Sequence, residues 1–265
     1  MAGMHRLLLH KAGGFALTSH VAICTPDACR CRAGFTLIEI LMALAIGSMI
    51  VAAAYTVYIA QLRGQAVQAA SLELQQGLRT AIQTMANEIR MAGVDPTGKA
   101  GAEILVAERS RLRFTMDIDD PYGTGRYDGE ISGPNEDVLY AVSARTGSLG
   151  RQTFRPDDDG ERTRTGGLQP VLNDVDVLDF VYLDALGNIL SETDLKEASG
   201  RERIRQIQVT IIARYEQKRH LLPAGHGDGR IYRNLSGEAL NGGKQFANSF
   251  RRQKMSAAVS LRNTR

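Results

Sequence analysis

The sequence predicts an α+β chain, in which one long N-terminal helix, transmembrane in its first half and amphipathic in its second, packs on a mostly antiparallel β-sheet. Three observations predict it. Residues 35–60 are apolar except for Glu39 and a few small hydroxyls, residues 61–93 carry an apolar stripe at helical spacing, and after Pro96 the apolar period drops to two. These changes divide the 265 residues into a leader, 1–34, a membrane helix, 35–60, an amphipathic extension of the same helix, 61–93, and a β-rich domain, 94–265.

The leader holds the charge imbalance. Its charged residues are Arg6, Lys11, Arg30 and Arg32 against Asp27 alone, which accounts for the formal net charge of +3. The rest of the chain is close to neutral and offers no basic face for phosphates, so no nucleic-acid partner is expected. Cys24, Cys29 and Cys31 also precede Phe35, so the chain beyond the leader has no thiol for a disulfide or a nucleophile. The full sequence, 43% apolar and 23% charged, has a normal globular balance, and without disulfides the part beyond the leader must rely on a packed core. His20 with the three cysteines lacks the paired Cys-x-x-Cys of structural zinc sites, and incidental leader residues are the plainer reading.

About 20 apolar residues span a bilayer at 1.5 Å per residue, and residues 35–60 suffice. Arg30 and Arg32 directly before them favour the cytoplasm, which places the remainder outside it. Glu39 is the anomaly. An acid within a spanning helix costs roughly 2.5–3.5 kcal/mol on insertion scales and marks a functional position by default. A cleaved signal peptide, with Ile40–Val51 as its apolar region and Ala52-Ala53-Ala54 as its cleavage site, accounts for the hydropathy but not for Glu39. A lipoprotein reading at Cys24 places bulky Ile23 where a small residue is needed.

Gly34-Phe35-Thr36-Leu37-Ile38-Glu39, with basic residues before it and an apolar helix behind it, closely resembles the processing site of type IV prepilins and of type II secretion pseudopilins. The resemblance implies a pilin-like fold and no enzymatic activity, cofactor or metal. It implies cleavage by a membrane prepilin peptidase between Gly34 and Phe35, and N-methylation of Phe35. It also gives Glu39 a partner: the carboxylate pairs with the amino terminus of a neighbouring subunit, so that a lone buried charge becomes a registration device. Ala43, Gly47, Ala52, Ala53 and Ala54 would let neighbouring helices approach closely. The leader is longer than most in that family, which an upstream start codon would explain. Tyr55-Thr56-Val57-Tyr58 lacks the proline that many members carry.

In the extension, Val67, Leu74, Leu78, Ile82, Met85 and Ile89 recur at sevens, fours and threes between Gln, Arg and Glu, which predicts one buried helix face. Gly93, with Asp95-Pro96 behind it, is the expected stop. Residues 35–92 would then form one helix of about 85 Å. Gly64 and Gly77 argue against a coiled coil. The blocks Leu72–Arg79 and Met85–Pro96, with Val259–Asn263, resemble PilW-type minor pilins, and less closely the J-type minor pseudopilin. The implied role is a minor pilin in pilus initiation, anchored in a bacterial inner membrane with its domain in the periplasm. Its partners would be other minor and major pilins. A minor pseudopilin, or a tethered or secreted periplasmic binding protein or enzyme, are the alternatives.

In the domain, Leu112, Phe114 and Met116 alternate with polar residues, as do Val175 and Val177, and Ile207, Val209, Ile211 and Ala213. Residues 137–142 and 178–183 read as more uniformly apolar strands. Gly187-Asn188, between Tyr182 and Ile189, predicts a hairpin turn. Residues 117–133 and 156–167 are rich in Asp, Gly and Arg and predict exposed loops, and 225–243 a glycine-rich excursion before a final segment, 251–261. No catalytic constellation emerges. Asp117-Ile-Asp119-Asp120-Pro121 departs from EF-hand order at the proline, which favours a solvated acidic turn over a calcium loop. Residues 237–244 superficially resemble a phosphate loop, but Gln245 stands where Ser or Thr would hold magnesium. His220 and His226 have no Glu or Cys at metal spacing.

Overall fold

The computed structural model describes residues 34–118, 127–157, 159–215, 229–246, 248, 250 and 251–262. The three leader cysteines, Asp119 to Gly123, and both His220 and His226 lie outside these residues. The chain forms two compact units, Met1–Thr56 and Val57–Arg265.

In the first unit, helix α1 (Leu37–Met91) begins. Up to Thr56 its residues are exposed, save a half-buried Gly47. The helix is long and apolar enough to cross a membrane. Its aliphatic hydroxyls beyond the first turn bond their own helix: Ser48 Oγ donates to the Ala45 carbonyl at 2.8 Å and Thr56 Oγ1 to that of Ala53 at 2.7 Å. Side chains that bond their own helix need no water, which suits an apolar surrounding.

In the second unit the same helix becomes a packing element. Leu74, Leu78, Ile82, Met85 and Ile89 are buried, as the stripe predicts, joined by Ala81 and Ala86, while Val67 is only half-buried. The helix ends at Met91, and Gly93, at φ 75°, turns the chain so that its N–H donates to the Thr115 carbonyl at 2.9 Å. Gly77 matters for closeness: a Cβ there would lie 2.9 Å from Leu172 Cδ1.

Two antiparallel sheets receive that face. The six-stranded sheet runs β1 (Ile104–Ala107), β2 (Arg111–Thr115), β3 (Asp137–Val142), β4 (Leu149–Pro156) and β5 (Arg162–Arg164), with β6 (Gln169–Leu172) also paired to β4. The three-stranded sheet is β7 (Val175–Leu183), β8 (Gln206–Tyr215) and β9 (Arg251–Ser260). Short helices α2 (Glu192–Lys196) and α3 (Ala198–Arg201) connect β7 to β8. One core holds the helix stripe, Leu112, Phe114, Val138, Tyr140, Phe180, Tyr182, Ile207, Val209 and Ile211 together.

The alternating residues of β2 and β8 point inward as expected. Elsewhere the details differ. A register shift between Val175 and Val177 breaks the alternation in β7. Val175, Leu178 and Phe180 therefore face the main core, whereas Val177 packs against a second cluster of Ile212, Tyr232 and Leu240. The turn at Gly187 exists, closed by Asp184 N–H to the Asn188 carbonyl at 3.0 Å, but the returning chain makes a single bridge, Leu183 to Ile189. The true partner of β7 is β8, which the sheet's pairing with β9 fixes in place. Within the expected loop 156–167, β5 pairs with β4 although all three of its side chains are exposed. Asp117, expected in a solvated turn, is fully buried, because its N–H donates to the Val94 carbonyl at 2.7 Å and the chain from 127 to 136 folds over it. The 237–244 stretch is a turn with a short 3-10 segment, Asn241–Gly243, and the next element among the described residues is a strand, not the helix that would cradle a phosphate.

Candidate functional site

The residues singled out at the N-terminus lie on one short path. Gly34, Phe35 and Thr36 are exposed and carry no regular structure, and the helix begins at Leu37. The Gly34–Phe35 peptide is thus an accessible bond immediately before a helix, a form that a peptidase can seize without unwinding anything. Phe35 is 80% exposed.

Thr36 supplies the start signal. Its Oγ1 accepts from Glu39 N–H at 3.3 Å, and its carbonyl accepts from Ile40 N–H at 3.2 Å. This is the N-cap arrangement that a Thr-x-x-Glu spacing announces, a signal present in the sequence beside the more conspicuous glutamate. Glu39 is in the first turn of the helix, where a negative charge meets the positive end of the helix dipole. Its carboxylate is therefore partly supported by its own helix. Ala43 and Gly47 follow at four-residue steps on the same face, which leaves a shallow strip beside the carboxylate, flanked by the larger Ile40 and Leu44.

Within the second unit the charged side chains serve the fold. Glu88, on the helix, accepts from Tyr140 Oη at 2.6 Å and from Arg151 Nε at 3.0 and 3.1 Å, which ties the helix to β3 and β4. Burial, then the adjacent Glu88 charge, pushes the Tyr140 phenol far above its usual range. Arg109 spans Asp179 and Glu238, and Asp176 receives both Arg214 and Arg252 at 2.6 Å. These pairs fasten the 229–246 excursion and the last strand to β7.

A cleft of about 770 Å³ lies between the helix end and α3, lined by Asp95, Glu103, Ile104, Arg201 and Leu261 among others. Its arginine is already committed, with Arg201 donating to the carbonyls of Ile104, Leu195 and Lys196 at 2.8–3.2 Å. Beside it, burial and then the Glu136 charge raise the pKa of Asp117, partly offset by the Gly129 N–H, which points at the carboxylate without reaching hydrogen-bond geometry. Among the described residues no three His, Cys, Asp or Glu side chains converge as a metal cluster.

Residues 29–55 match the family model for the prokaryotic N-terminal methylation motif, a span that contains Gly34, Phe35, Thr36 and Glu39. A comparison with curated proteins finds no match. Among solved structures, a type IV-like pilin from Thermus thermophilus aligns at 15% sequence identity and a TM-score of 0.45, covering 71% of this chain and 96% of that one.

Proposed function

We propose that this chain is a minor type IV pilin of the PilW type, a prepilin cut between Gly34 and Phe35 and N-methylated at Phe35. The observation that carries the proposal is the methylation motif over residues 29–55, set on an exposed, non-helical peptide directly before an apolar helix. Before assembly the helix anchors the subunit in the inner membrane, with Arg30 and Arg32 holding its start in the cytoplasm and the β-rich unit in the periplasm. The prepilin peptidase performs the only chemistry, and the subunit then acts by contact with other minor and major pilins.

In that assembly Glu39 answers to a neighbour. An apolar surrounding magnifies the attraction between its carboxylate and a neighbour's methylated amino terminus, and penalises every register in which the two fail to meet. Ala43 and Gly47 keep the approach open.

Mass spectrometry of the amino-terminal peptide, from cells with and without active prepilin peptidase, tests the proposal. A peptide beginning at N-methylated Phe35, seen only with the peptidase, is the expected result. A terminus at Tyr55 would mean signal-peptide cleavage and would end the pilin reading. Deletion then separates the pilus from secretion: loss of surface pili with secretion intact supports the minor pilin, and the reverse supports a J-type pseudopilin, which the resemblance of residues 85–96 favours as the second reading.

A further inference from the structure

The chain from 127 to 136 covers polar groups that the protein's own hydrogen bonds leave unsatisfied. Asp117 is fully buried, and neither of its carboxylate oxygens has a hydrogen-bond partner. The Ser132 hydroxyl is also buried without a partner. A buried carboxylate left alone is among the most costly arrangements in a protein, and one whose cost falls when a positive charge is supplied.

The surrounding residues supply negative charge. Glu136 is fully buried too, and its side chain works as a clamp: Oε1 accepts from Ile118 N–H at 2.9 Å, and Oε2 accepts from Ser132 and Gly133 N–H at 2.9 and 2.7 Å. One carboxylate thus gathers the residue after Asp117 and Ser132 itself around a single head group. Asp128 and Asp95 lie near enough to act on the Asp117 charge. Gly129 seats the covering chain against the 95–101 turn, since a Cβ there would lie 2.9 Å from Thr97 Oγ1. Among the described residues no lysine or arginine pairs with Asp117.

We propose that the Asp117 carboxylate and the Ser132 hydroxyl are oxygen ligands of a divalent cation of the calcium class, with Glu136 as the positioning carboxylate that holds both in place. The donors are hard oxygens, with no imidazole or thiolate, which excludes the softer metals by preference. Calcium completes its 6–8 oxygens from backbone carbonyls and water in flexible geometry, so it does not need three convergent carboxylates or the EF-hand order. The cation converts the buried charge at Asp117 from a liability into a cross-link between the exit of β2 and the covering chain. This inference is independent of the pilin reading.

The test uses the full-length chain in detergent, stripped with a chelator and titrated with calcium chloride or magnesium chloride by calorimetry and thermal melting. One calcium per chain is expected, with melting raised by about 5–10 °C at a hundredfold excess over Kd. Asp117→Asn should weaken binding about tenfold or more, and Ser132→Ala by a smaller factor. Absence of heat and of any melting shift up to about 10 mM of either cation, beyond the weakest extracellular sites, would overturn the proposal. So would undiminished binding by Asp117→Asn. Should that variant fail to fold, Ser132→Ala decides, with unchanged affinity counting against the site.

Discussion

Glu88→Ala isolates what holds the helix to the sheets beyond apolar burial. The substitution removes the acceptor of the Tyr140 hydroxyl and the partner of Arg151 Nε. Tyr140 is fully buried, so its phenol loses a charge-assisted bond and gains no water in exchange, a loss of roughly 1.5–3 kcal/mol. The Arg151 pair is part-exposed, at 20% and 24% of the two side chains, and solvent screening limits it to about 1 kcal/mol or less. Together the loss is about 2–4 kcal/mol, or about 4–16 °C in melting temperature for a chain of this size. The assay is denaturant unfolding of the detergent-solubilised chain, in a cycle with Tyr140→Phe. The two substitutions should be strongly non-additive, because each removes the same bond. A loss under about 1 kcal/mol, or simple additivity, would refute the view that this bond closes the helix onto β3.

Other perturbations probe the membrane helix, the packing and the response to acid. Glu39→Ala should leave cleavage after Gly34 intact and abolish assembly, and a normal pilus number in that variant would remove the registration role. Gly200→Ala should destabilise by about 1–3 kcal/mol, because the new Cβ would fall on the Asp194 backbone carbonyl, whereas Gly64→Ala, with open space around it, should not; equal melting temperatures would contradict this. Hydrogen bonds from Asn188 hold the Asp184 carboxyl below the ordinary carboxylate range, and those from Ser191 do the same for Asp194. A depressed folded-state pKa stabilises above the unfolded value and ceases to do so as pH falls through the folded one. Backbone amides of Leu186, Asn188 and Ser191, which donate to these two carboxylates, should therefore lose hydrogen-exchange protection in acid, after correction for intrinsic rates, and a flat profile would disprove the linkage.

The sequence made the helix legible because apolar periodicity reports burial directly, and Leu74 through Ile89 are buried for the reason their spacing implied. It made the N-terminal methylation motif legible because Gly34, Phe35 and Glu39 are local to one another. What it hid has a common cause: contacts between residues far apart in the chain. Nothing near Arg162-Thr163-Arg164 signals a strand, since these side chains are exposed and the pairing is with β4. Glu88 looks like a solvent-facing residue beside the stripe until Tyr140 and Arg151 are brought to it. Asp117 sits in an acidic stretch whose composition favours water, and only the covering chain reveals that it is enclosed. The shift at Val175/Val177 leaves the spacing of the two valines unchanged while sending Val177 to the face opposite the main core that Val175 serves.

The last strand also governs timing. β9 lies along the whole of β8, from Gln206 opposite Ser260 to Tyr215 opposite Arg251, and Arg252 on it is the buried partner of Asp176 on β7. Residues 216–250 must be synthesised before that strand exists. Until then β8 is an open edge and the Asp176 carboxylate lacks one of its two arginines. Closing so distant a pair is slow compared with forming the helix, whose contacts are local. The helix is thus a template that stands ready while the three-stranded sheet waits for its final member. During that interval the exposed edge of β8 is the part of the molecule most open to pairing with a wrong chain.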